Sequence, residues 1–350
     1  MIRVLGIETS CDETAVGLVA DGRTILANTV ASSLDLHGPY GGVIPEIAAR
    51  AHVETIWEVF TQALRDASCA PERLDAIAVT QGPGLPGALL IGVAFAKGLA
   101  LALDRPLIPV DHLAAHLYAG EMTDASLEPP YIGLVVSGGH TVLCVAHADC
   151  RFEVLGETKD DAVGEAFDKV AKLLGLGYPG GPIIDRLSTE GQAAAVKFPR
   201  TQTKGTFDFS FSGLKTAVLH YVEKLALGSR LKAQGVSLQP SALSLEPSQV
   251  ADVAASFQEA AVDMLISKTL KATQRTGIKR VVVGGGVAAN SRLRAKFAEA
   301  ASANKLTVVF PPPKLCVDNG AMVAGIGFPL LQRGRVAALT MAPDSNLCLT

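Results

Sequence analysis

Two stretches of this chain share one pattern: an apolar strand, a short polar or glycine-containing turn, and a second apolar strand. The first is VLGIETSCDETAVGLV, residues 4–19, and the second is YIGLVVSGGHTVLCVA, residues 131–146. Apolar runs bounded by turn residues are typical of β-hairpins. We interpret the pair as a duplicated hairpin. It predicts two related half-molecules that face each other, with both turns pointing into the cleft, where backbone N–H groups can cradle phosphates.

Short apolar runs alternate with segments of helical spacing along the whole chain, and this alternation is typical of α/β proteins. The predicted strands are 2–8, 15–20, 75–80, 107–110, 131–136, 141–147, 280–284 and 306–310. The predicted helices are 46–68, 86–103, 161–175, 249–275, 290–303 and 319–332. Residues 226–248 are rich in Ser, Gly, Leu and Pro without periodicity, which favours a surface insertion.

Composition limits the class of protein without naming a ligand. With 350 residues, 49% of them hydrophobic, the chain can bury the cores of two domains. A net charge of -3 gives no overall attraction for nucleic acid, so a polyanion would need a local patch or a partner protein. Six cysteines without a CxxC pair favour a reducing cytoplasm.

Two apolar segments raise the question of export or membrane insertion. The N-terminal run stops at Glu8, which favours a buried strand over a signal peptide. Residues 85–103 approach the length that spans a bilayer, but they contain Lys97 and three glycines. We therefore expect a helix buried between the sheet and neighbouring helices, and no membrane partner.

The stretch DHLAAH, residues 111–116, places two histidines four residues apart. On a helix this spacing puts both imidazoles on one face, so His112 and His116 can point at a single zinc or iron ion. The intervening LAA lacks the glutamate that acts as general base in the HExxH peptidase motif, which disfavours a peptidase. The spacing alone leaves open two unrelated polar histidines at a helix start.

A third metal ligand would have to come from elsewhere in the chain. The best candidate is Asp318 in CVDNGAM, where a predicted strand end meets a predicted helix start. Aspartate is also a preferred helix N-cap residue. On the pattern alone, the N-cap interpretation of Asp318 is favoured.

Two glycine turns follow apolar strands: SGGHT, residues 137–141, and GGGVAAN, residues 284–290. Because glycine has no Cβ, such turns let backbone amides approach a phosphate or a nucleotide sugar. Neither matches the dinucleotide-binding or the Walker motif. Each is therefore equally a tight structural turn.

Acidic residues occur at three other places of interest. Asp168 and Lys172 lie four residues apart on the predicted helix 161–175, a spacing that a surface salt bridge alone would explain. Asp185 follows a glycine turn, where a carboxylate could accept bonds from ribose hydroxyls. Asp12 and Glu13 on the first hairpin turn could serve as acid, base or ligand of a cation-bound water, or only as turn formers. The neighbouring Cys11 lacks a sequence signal for an activating base.

Nine motifs occur together in one order, and in this combination the chain closely resembles the tRNA threonylcarbamoyladenosine transferases, the bacterial TsaD group once described as O-sialoglycoprotein endopeptidases. The resemblance runs from about residue 2 to residue 335, and the last residues match weakly. The motifs are IETSCDET, GGVIPEIAARAH, GPGLPGALLIG, HLAAH, VSGGHT, GEAFDKVAKLLGLGYPGGP, FDFSFSGLKT, GGGVAANSRLR and DNGAM.

The resemblance implies an architecture and a set of site residues. The fold would be two duplicated actin-like, Hsp70-like and sugar-kinase-like halves around a nucleotide-binding cleft. Residues 1–112 would form one half, completed by the helix 320–335, residues 113–319 the other, and 336–350 a tail. The metal ligands of the family, which usually hold iron or zinc, fall on His112, His116 and Asp318. Its substrate-binding positions fall on Val135, Val136, Ser137, Gly138, Gly139, Asp168, Gly181, Asp185 and Asn290.

The resemblance also implies a reaction and partners. The family transfers a threonylcarbamoyl group from threonylcarbamoyl-AMP to the exocyclic amine of the adenosine just 3′ of the anticodon, together with a paralogous subunit and a small ATPase. For proton removal we nominate Asp12 or Glu13, because they lie on the cleft-facing turn. Basic residues that could contact tRNA phosphates, or simply be solvated, are Lys197, Arg200, Lys204, Arg292, Arg294 and Lys296.

Three rival functions can be separated by the same residues. A small-molecule kinase of this fold would have no need for His112 and His116. A non-catalytic scaffold subunit would be expected to lack the metal ligands and glycine turns, which this chain contains. A metallopeptidase is disfavoured by the absent glutamate.

Overall fold

A computed structural model describes residues 1–201, 205–232 and 245–350 of the chain. The first group of elements builds one sheet. These are β1 (Arg3–Glu8), β2 (Glu13–Ala20), β3 (Thr24–Ser32), α1 (Leu34–His37), α2 (Pro45–Asp66), β4 (Ala76–Gly82), α3 (Pro86–Leu103), β5 (Leu107–Asp111) and α4 (His112–Thr123).

The second group builds another sheet and ends with a helix that returns to the first. These elements are β6 (Tyr131–Val136), β7 (Thr141–Ala146), β8 (Phe152–Glu157), α5 (Val163–Leu173), α6 (Gly180–Ser188), α7 (Ser212–Lys232), α8 (Pro247–Thr276), β9 (Arg280–Gly284), α9 (Ser291–Asn304), β10 (Thr307–Val309), α10 (Pro313–Cys316) and α11 (Gly320–Gln332).

The two sheets have the same strand order and the same pairing. Each has five strands, in the order β3-β2-β1-β4-β5 and β8-β7-β6-β9-β10. In each sheet the hairpin and its third strand are antiparallel, and the next two strands are parallel to the first. The predicted α/β class and duplicated hairpin are therefore confirmed, whereas the exact domain boundaries stay a prediction.

Helix α4 connects the two sheets, and α11 packs on the first sheet beside it. One hydrophobic core contains residues of both sheets together with α4 and α11, and separate cores lie on the outer side of each sheet. Helix α11 touches the first hairpin so closely that a Cβ at Gly320 would lie 2.1 Å from the Gly17 nitrogen. Because Gly320 is held there, the segment just before α11, which includes Asp318, lies next to the first hairpin.

Several elements were not predicted from the sequence. Strand β3 is a partly exposed edge strand with polar residues, and β8 is also at an edge, so neither has the continuous apolar run of a buried strand. Helix α6 begins at Gly180 and Gly181, which the sequence favours as a turn. Helices α1, α4, α7 and α10 also lie outside the predicted helix ranges, although the histidine spacing indicated a helix at α4.

The predicted surface insertion 226–248 is helical at both ends. Helix α7 continues to Lys232, and α8 begins at Pro247 with a capping box between Glu246 and Gln249. Such a box satisfies backbone N–H groups that have no partner within the helix. Residues 233–244, the middle of the predicted insertion, lie outside the described residues.

Helix α3 is, within the described ranges, the one helix long and apolar enough to cross a membrane by length and composition. One of its faces packs on β4 and α2 and is buried at Leu89, Val93 and Ala96. Leu90 and Leu101 on another face are exposed. The expectation that α3 is buried between the sheet and other helices is thus correct for one face only.

The predicted tail, residues 336–350, packs along the first sheet. Ala337 pairs with Leu107, the Asp344 N–H donates to the Gln81 carbonyl at 2.9 Å, and Leu349 is 6% exposed within the shared core. The end of the chain therefore contributes to the core beside α4, rather than leaving the surface as a free tail.

Leu349→Ala is expected to lower the free energy of unfolding by about 2–3 kcal/mol, because it removes buried methyl groups and leaves a cavity. The matched control is Leu339→Ala in the same segment. Leu339 is 45% exposed, so its change should stay within about 0.5 kcal/mol. Urea unfolding of both variants measures the difference, and equal small effects would contradict the packing of Leu349.

Candidate metal and nucleotide site

The first two predicted metal ligands lie on α4. Asp111 is its N-cap, and its carboxylate accepts the Leu113 and Ala114 N–H groups at 2.8 and 3.0 Å. The helix therefore begins at His112, and His116 follows one turn later on the same face. Both side chains are buried, with ring centroids 4.6 Å apart.

Asp318 reaches the two histidines from the segment before α11. Its Oδ1 lies 3.1 Å from His116 Nε2 and 3.6 Å from His112 Nε2. The N-cap of α11 is the next residue, Asn319, whose side chain accepts the Met322 N–H at 2.9 Å. The N-cap interpretation of Asp318 is therefore wrong, because the neighbouring amide already fills that position and leaves the carboxylate to face α4.

The donor set fits a divalent metal ion. One candidate ligand atom from each of His112, His116 and Asp318 lies within 4.8 Å of the others. Two imidazoles and one carboxylate suit Fe²⁺ or Zn²⁺, and three protein ligands leave coordination positions open for substrate.

Strong electrostatic coupling accompanies this geometry. Burial alone would lower the pKa of His112, but the charges of Glu8 and Asp318 raise it to about 10. Burial would raise the pKa of Asp318, but His112 and His116 lower it to about 2. Burial is the main cause that lowers the pKa of His140, in the second hairpin turn, and the charges of His112 and His116 lower it further, to about 4. The second turn thus faces the same site as α4.

The acidic turn of the first hairpin is held by neighbouring side chains. Ser33 donates from its N–H and its hydroxyl to the Asp12 carbonyl at 3.0 and 2.9 Å. His52 of α2 donates from Nε2 to the Cys11 carbonyl at 3.0 Å. Burial, followed by the charges of Asp318 and Asp12, raises the pKa of Glu13 to about 9. The two acidic residues therefore lie near Asp318 with limited access to solvent.

Glu13 should give the metal-free protein a pH-dependent stability. Because its pKa is about 9 in the folded chain and 4.5 ordinarily, the folded state binds this proton more tightly, and stability falls as the pH rises between the two values. Glu13→Gln cannot ionise, so its stability advantage over wild type should widen from about pH 5 to about pH 9. Denaturant unfolding with chelator checks this; parallel pH profiles would contradict it.

The predicted substrate positions of the second hairpin differ in exposure. Val135 and Val136 are 0% exposed at the end of the buried strand β6, so their contact with a substrate stays a prediction. The Ser137 N–H donates to the His140 carbonyl at 2.9 Å, which closes the turn. A Cβ at Gly138 or Gly139 would meet no atom within 4 Å, so these two residues border open space.

Two other predicted substrate residues, Asp168 and Asp185, each accept hydrogen bonds from the first residue of a helix. The Asp168 carboxylate accepts the Gly180 N–H at 2.7 Å, next to Gly181. Asp185 accepts the N–H and the hydroxyl of Ser291 at 3.0 and 2.8 Å.

The side-chain amide of Asn290 also forms hydrogen bonds through both its oxygen and its nitrogen. Its Oδ1 caps α9 by accepting the Leu293 N–H at 2.9 Å, and its Nδ2 donates to Gln258 at 2.7 Å. These bonds hold in place another of the predicted substrate residues. Direct contacts of the side chains with substrate stay a prediction.

Most of the candidate phosphate-binding cations are engaged within the fold. Arg200 forms an ion pair with Asp263, and Arg292 forms one with Glu259. Lys296 forms ion pairs with both Glu259 and Asp263. Arg294 donates to the Ala288 and Pro311 carbonyls and stacks on Phe310. Lys197 is exposed, and Lys204 lies outside the described residues. The interpretation of these cations as phosphate ligands therefore loses support, because four of them already have acceptors.

Sequence reasoning missed several residues that hold the site. Glu8 bonds His112, His52 holds the acidic turn, and Gln258 holds Asn290. Only Glu8 has a local signal, since it is a carboxylate at the end of a buried apolar run. The other contacts join residues distant in the chain.

A duplicated α/β fold, with glycine turns and a cluster of two histidines and one carboxylate, has the architecture of the actin-like, Hsp70-like and sugar-kinase-like fold. Solved structures support the fold. T. kodakarensis HypF has a TM-score of 0.61 at 16% identity, covering 96% of this chain and 49% of that one. The (R)-2-hydroxyglutaryl-CoA dehydratase component A of Acidaminococcus fermentans has a TM-score of 0.52 at 15% identity, covering 94% and 98%.

Sequence comparison identifies the family. The model of the family "tRNA N6-adenosine threonylcarbamoyltransferase" matches residues 24–325. Curated proteins of that name are 51% identical in Anaeromyxobacter dehalogenans (strain 2CP-C), over 99% of this chain and 98% of that protein, and 49% identical in Symbiobacterium thermophilum, over 95% and 92%. The chain belongs to the tRNA N6-adenosine threonylcarbamoyltransferase family, a family of tRNA-modifying transferases.

Proposed function

We propose that this chain transfers the threonylcarbamoyl group of threonylcarbamoyl-AMP to the exocyclic amine of adenosine 37, in tRNAs that read codons beginning with adenine. The amine nitrogen forms a bond to the carbamoyl carbon, the bond from that carbon to the phosphate oxygen breaks, and AMP leaves. Family membership supports the reaction class. The observation that carries the proposal is the convergence of His112, His116 and Asp318 beside the acidic turn.

His112, His116 and Asp318 would hold one divalent ion, with Fe²⁺ the best fit and Zn²⁺ the alternative. When bound, such an ion supplies Lewis-acid stabilisation of the negative charge on substrate oxygens. The two histidines would contribute imidazole nitrogen ligands from one helix face. Asp318 contributes the charge that balances the cation.

The second hairpin turn, with Gly138 and Gly139, would form a wall that binds the acyl-adenylate. Gly138 and Gly139 border open space, so their backbone amides could approach phosphate or carbonyl oxygens and stabilise developing charge. Asp168 and Gly181 at the start of α6, and Asp185 and Asn290 at the start of α9, would complete this wall toward the nucleoside. Val135 and Val136 would support this wall from the buried strand β6.

The acidic turn would remove the proton from the attacking amine. Asp12 and Glu13 lie close enough to each other and to Asp318 for their charges to raise the pKa of Glu13. A pair of nearby carboxyls shares protons unequally, so one member can stay ionised while the other stays protonated. We assign the accepting role to Asp12.

The test is transfer from threonylcarbamoyl-AMP to unmodified tRNA by the full chain, with and without partner subunits. Wild type should form the modified nucleoside, detected by digestion and mass spectrometry, and His112→Ala should form little. An ATP-dependent phosphorylation of a small molecule that persists in His112→Ala would favour the kinase alternative. Absence of modified nucleoside under every combination would overturn the proposed transferase function.

The resemblance to the family suggests that tRNA binding is shared with a paralogous subunit and a small ATPase, and that the protein works in the cytoplasm. We assign the paralogous subunit to the outer faces of α2 and α3. Val53 and Trp57 lie one turn apart on α2, Leu90 and Leu101 lie on α3, and all four are exposed. Helices α2 and α3 pack against each other, with Trp57 against Phe95, and exposed apolar patches typically mark protein interfaces.

Trp57→Ala is expected to weaken binding of the paralogous subunit by about 2 kcal/mol or more, as truncation of a large aromatic anchor commonly does. Trp57 packs edge-on against Phe95 of α3, with centroids 6.4 Å apart, so its loss affects both helices of the surface. Val336→Ala, an exposed apolar residue elsewhere, is the control. Calorimetric titration with unchanged affinity for Trp57→Ala would exclude this surface.

A further inference from the structure

Glu8 is a fully buried carboxylate, 0% exposed, that contacts one of the candidate metal ligands. Its Oε2 lies 3.0 Å from His112 Nδ1 and accepts the Thr80 hydroxyl at 2.6 Å. Its Oε1 accepts the Ser10 N–H at 2.6 Å. Both carboxylate oxygens therefore have hydrogen-bond donors, which offsets the cost of burying the charge.

The register of the first sheet creates this contact. Strand β1 is parallel to β4, with Ile7 opposite Val79, so the next residues, Glu8 and Thr80, lie side by side. Strand β5 is parallel to β4 on its other side and ends immediately before His112. Three neighbouring parallel strands thus end at one edge of the sheet and bring together a carboxylate, a hydroxyl and an imidazole.

The two histidines differ in what holds their second nitrogen. The Nδ1 atom of His112 faces the Glu8 carboxylate, with the Ser10 hydroxyl also near at 3.3 Å. The Nδ1 atom of His116 is buried and has no hydrogen-bond partner among the described residues. A carboxylate that accepts the N–H of a ligand histidine fixes its tautomer and ring orientation and makes it a better electron donor.

We propose that Glu8 is the positioning residue of the metal site: it accepts the His112 Nδ1–H and fixes Nε2 as the metal-binding atom. This inference rests on the proposed metal site and extends it to a residue outside the ligand set. Thr80 of β4 and Ser10 of the turn after β1 hold the Glu8 carboxylate in place by hydrogen bonds. His112 is therefore the orientationally fixed ligand of the pair.

The proposal is tested by metal binding alone, without tRNA or acyl-adenylate. Purified full-length protein is stripped with chelator and titrated with Co²⁺, whose visible absorption reports affinity and ligand geometry. Glu8→Gln should bind Co²⁺ about 10–100-fold more weakly than wild type, with an altered absorption spectrum. In a His112→Ala background the same substitution should cause no further loss, because the ring that Glu8 orients is gone.

The matched control is Glu121→Gln, an isosteric change at the opposite end of α4. Glu121 accepts the Tyr131 hydroxyl at 2.9 Å, so this variant loses a carboxylate hydrogen bond without touching His112. It should retain wild-type Co²⁺ affinity even where it unfolds more easily. If Glu8→Gln is too unstable to purify, Thr80→Val removes one of the donors that hold Glu8 and should weaken Co²⁺ binding and alter its spectrum.

The outcomes separate this inference from the proposed metal site. Failure of the wild-type protein to bind Co²⁺, Fe²⁺ or Zn²⁺ would overturn both. Wild-type binding with unchanged affinity and spectrum in Glu8→Gln, or in Thr80→Val if only that variant folds, would overturn the role of Glu8 alone. The role of Glu8 would also be overturned if Glu8→Gln weakened Co²⁺ binding by the same factor in the wild-type protein and in the His112→Ala variant.

Discussion

Asp318→Ala is expected to reduce threonylcarbamoyl transfer by about 10³-fold or more, because it would remove the anionic ligand of the proposed metal site and with it several kcal/mol of Lewis-acid stabilisation. The carboxylate lies 3.1 Å from His116 Nε2 and 3.6 Å from His112 Nε2, and of the three proposed ligands it alone is a carboxylate. Single-turnover transfer to tRNA measures the rate, and elemental analysis of the same preparation measures the metal content.

Asn319→Ala is the matched control, because the two neighbours have separate tasks. Asn319 caps α11 by accepting the Met322 N–H at 2.9 Å, so its loss should cost about 1 kcal/mol of stability while metal content is retained. Asp318→Ala should lose the metal, whereas Asn319→Ala should keep it. If Asp318→Ala retained its metal and its rate, this carboxylate would not be a ligand.

Hydrophobic periodicity predicts much of the fold, but not its edges. Both hairpins stand out because their strands are continuously apolar, as expected when both faces of a sheet are covered. Strand β3 lies at an edge, where Asn28 and Thr29 interrupt that pattern. Its place in the sheet follows from pairing with β2, which is a tertiary interaction and has no local sequence signal.

The candidate site shows the same limit more strongly. The spacing of His112 and His116 predicts a shared helix face, since both belong to one element. Asp318 is 202 residues away from His116, and its local pattern favours an N-cap, so only the resemblance to the family indicates its role. The ion pairs between α8 and α9, such as Arg292 with Glu259, depend on helix packing that composition does not encode.

Asp12→Asn is expected to lower the transfer rate by about 10²–10⁴-fold, the usual range for loss of a general base, whereas Glu13→Gln should retain most activity. Burial and the charges of Asp318 and Asp12 raise the pKa of Glu13 to about 9. Glu13 is then protonated at neutral pH, and glutamine reproduces its shape and its neutral charge. Asp12 is the other acidic side chain of the turn, and we assign it the role of accepting the amine proton.

A bound cation would lower the raised pKa of Glu13 only in part. It would offset the influence of Asp318 on Glu13, but it leaves burial, the largest cause of the raised pKa, and the neighbouring Asp12 charge in place. The rates of both variants should therefore be compared at equal metal content, across a pH series. Equal losses in Asp12→Asn and Glu13→Gln would contradict the division of roles, and a full rate in the folded, metal-loaded double alanine variant would remove the acidic turn from proton transfer altogether.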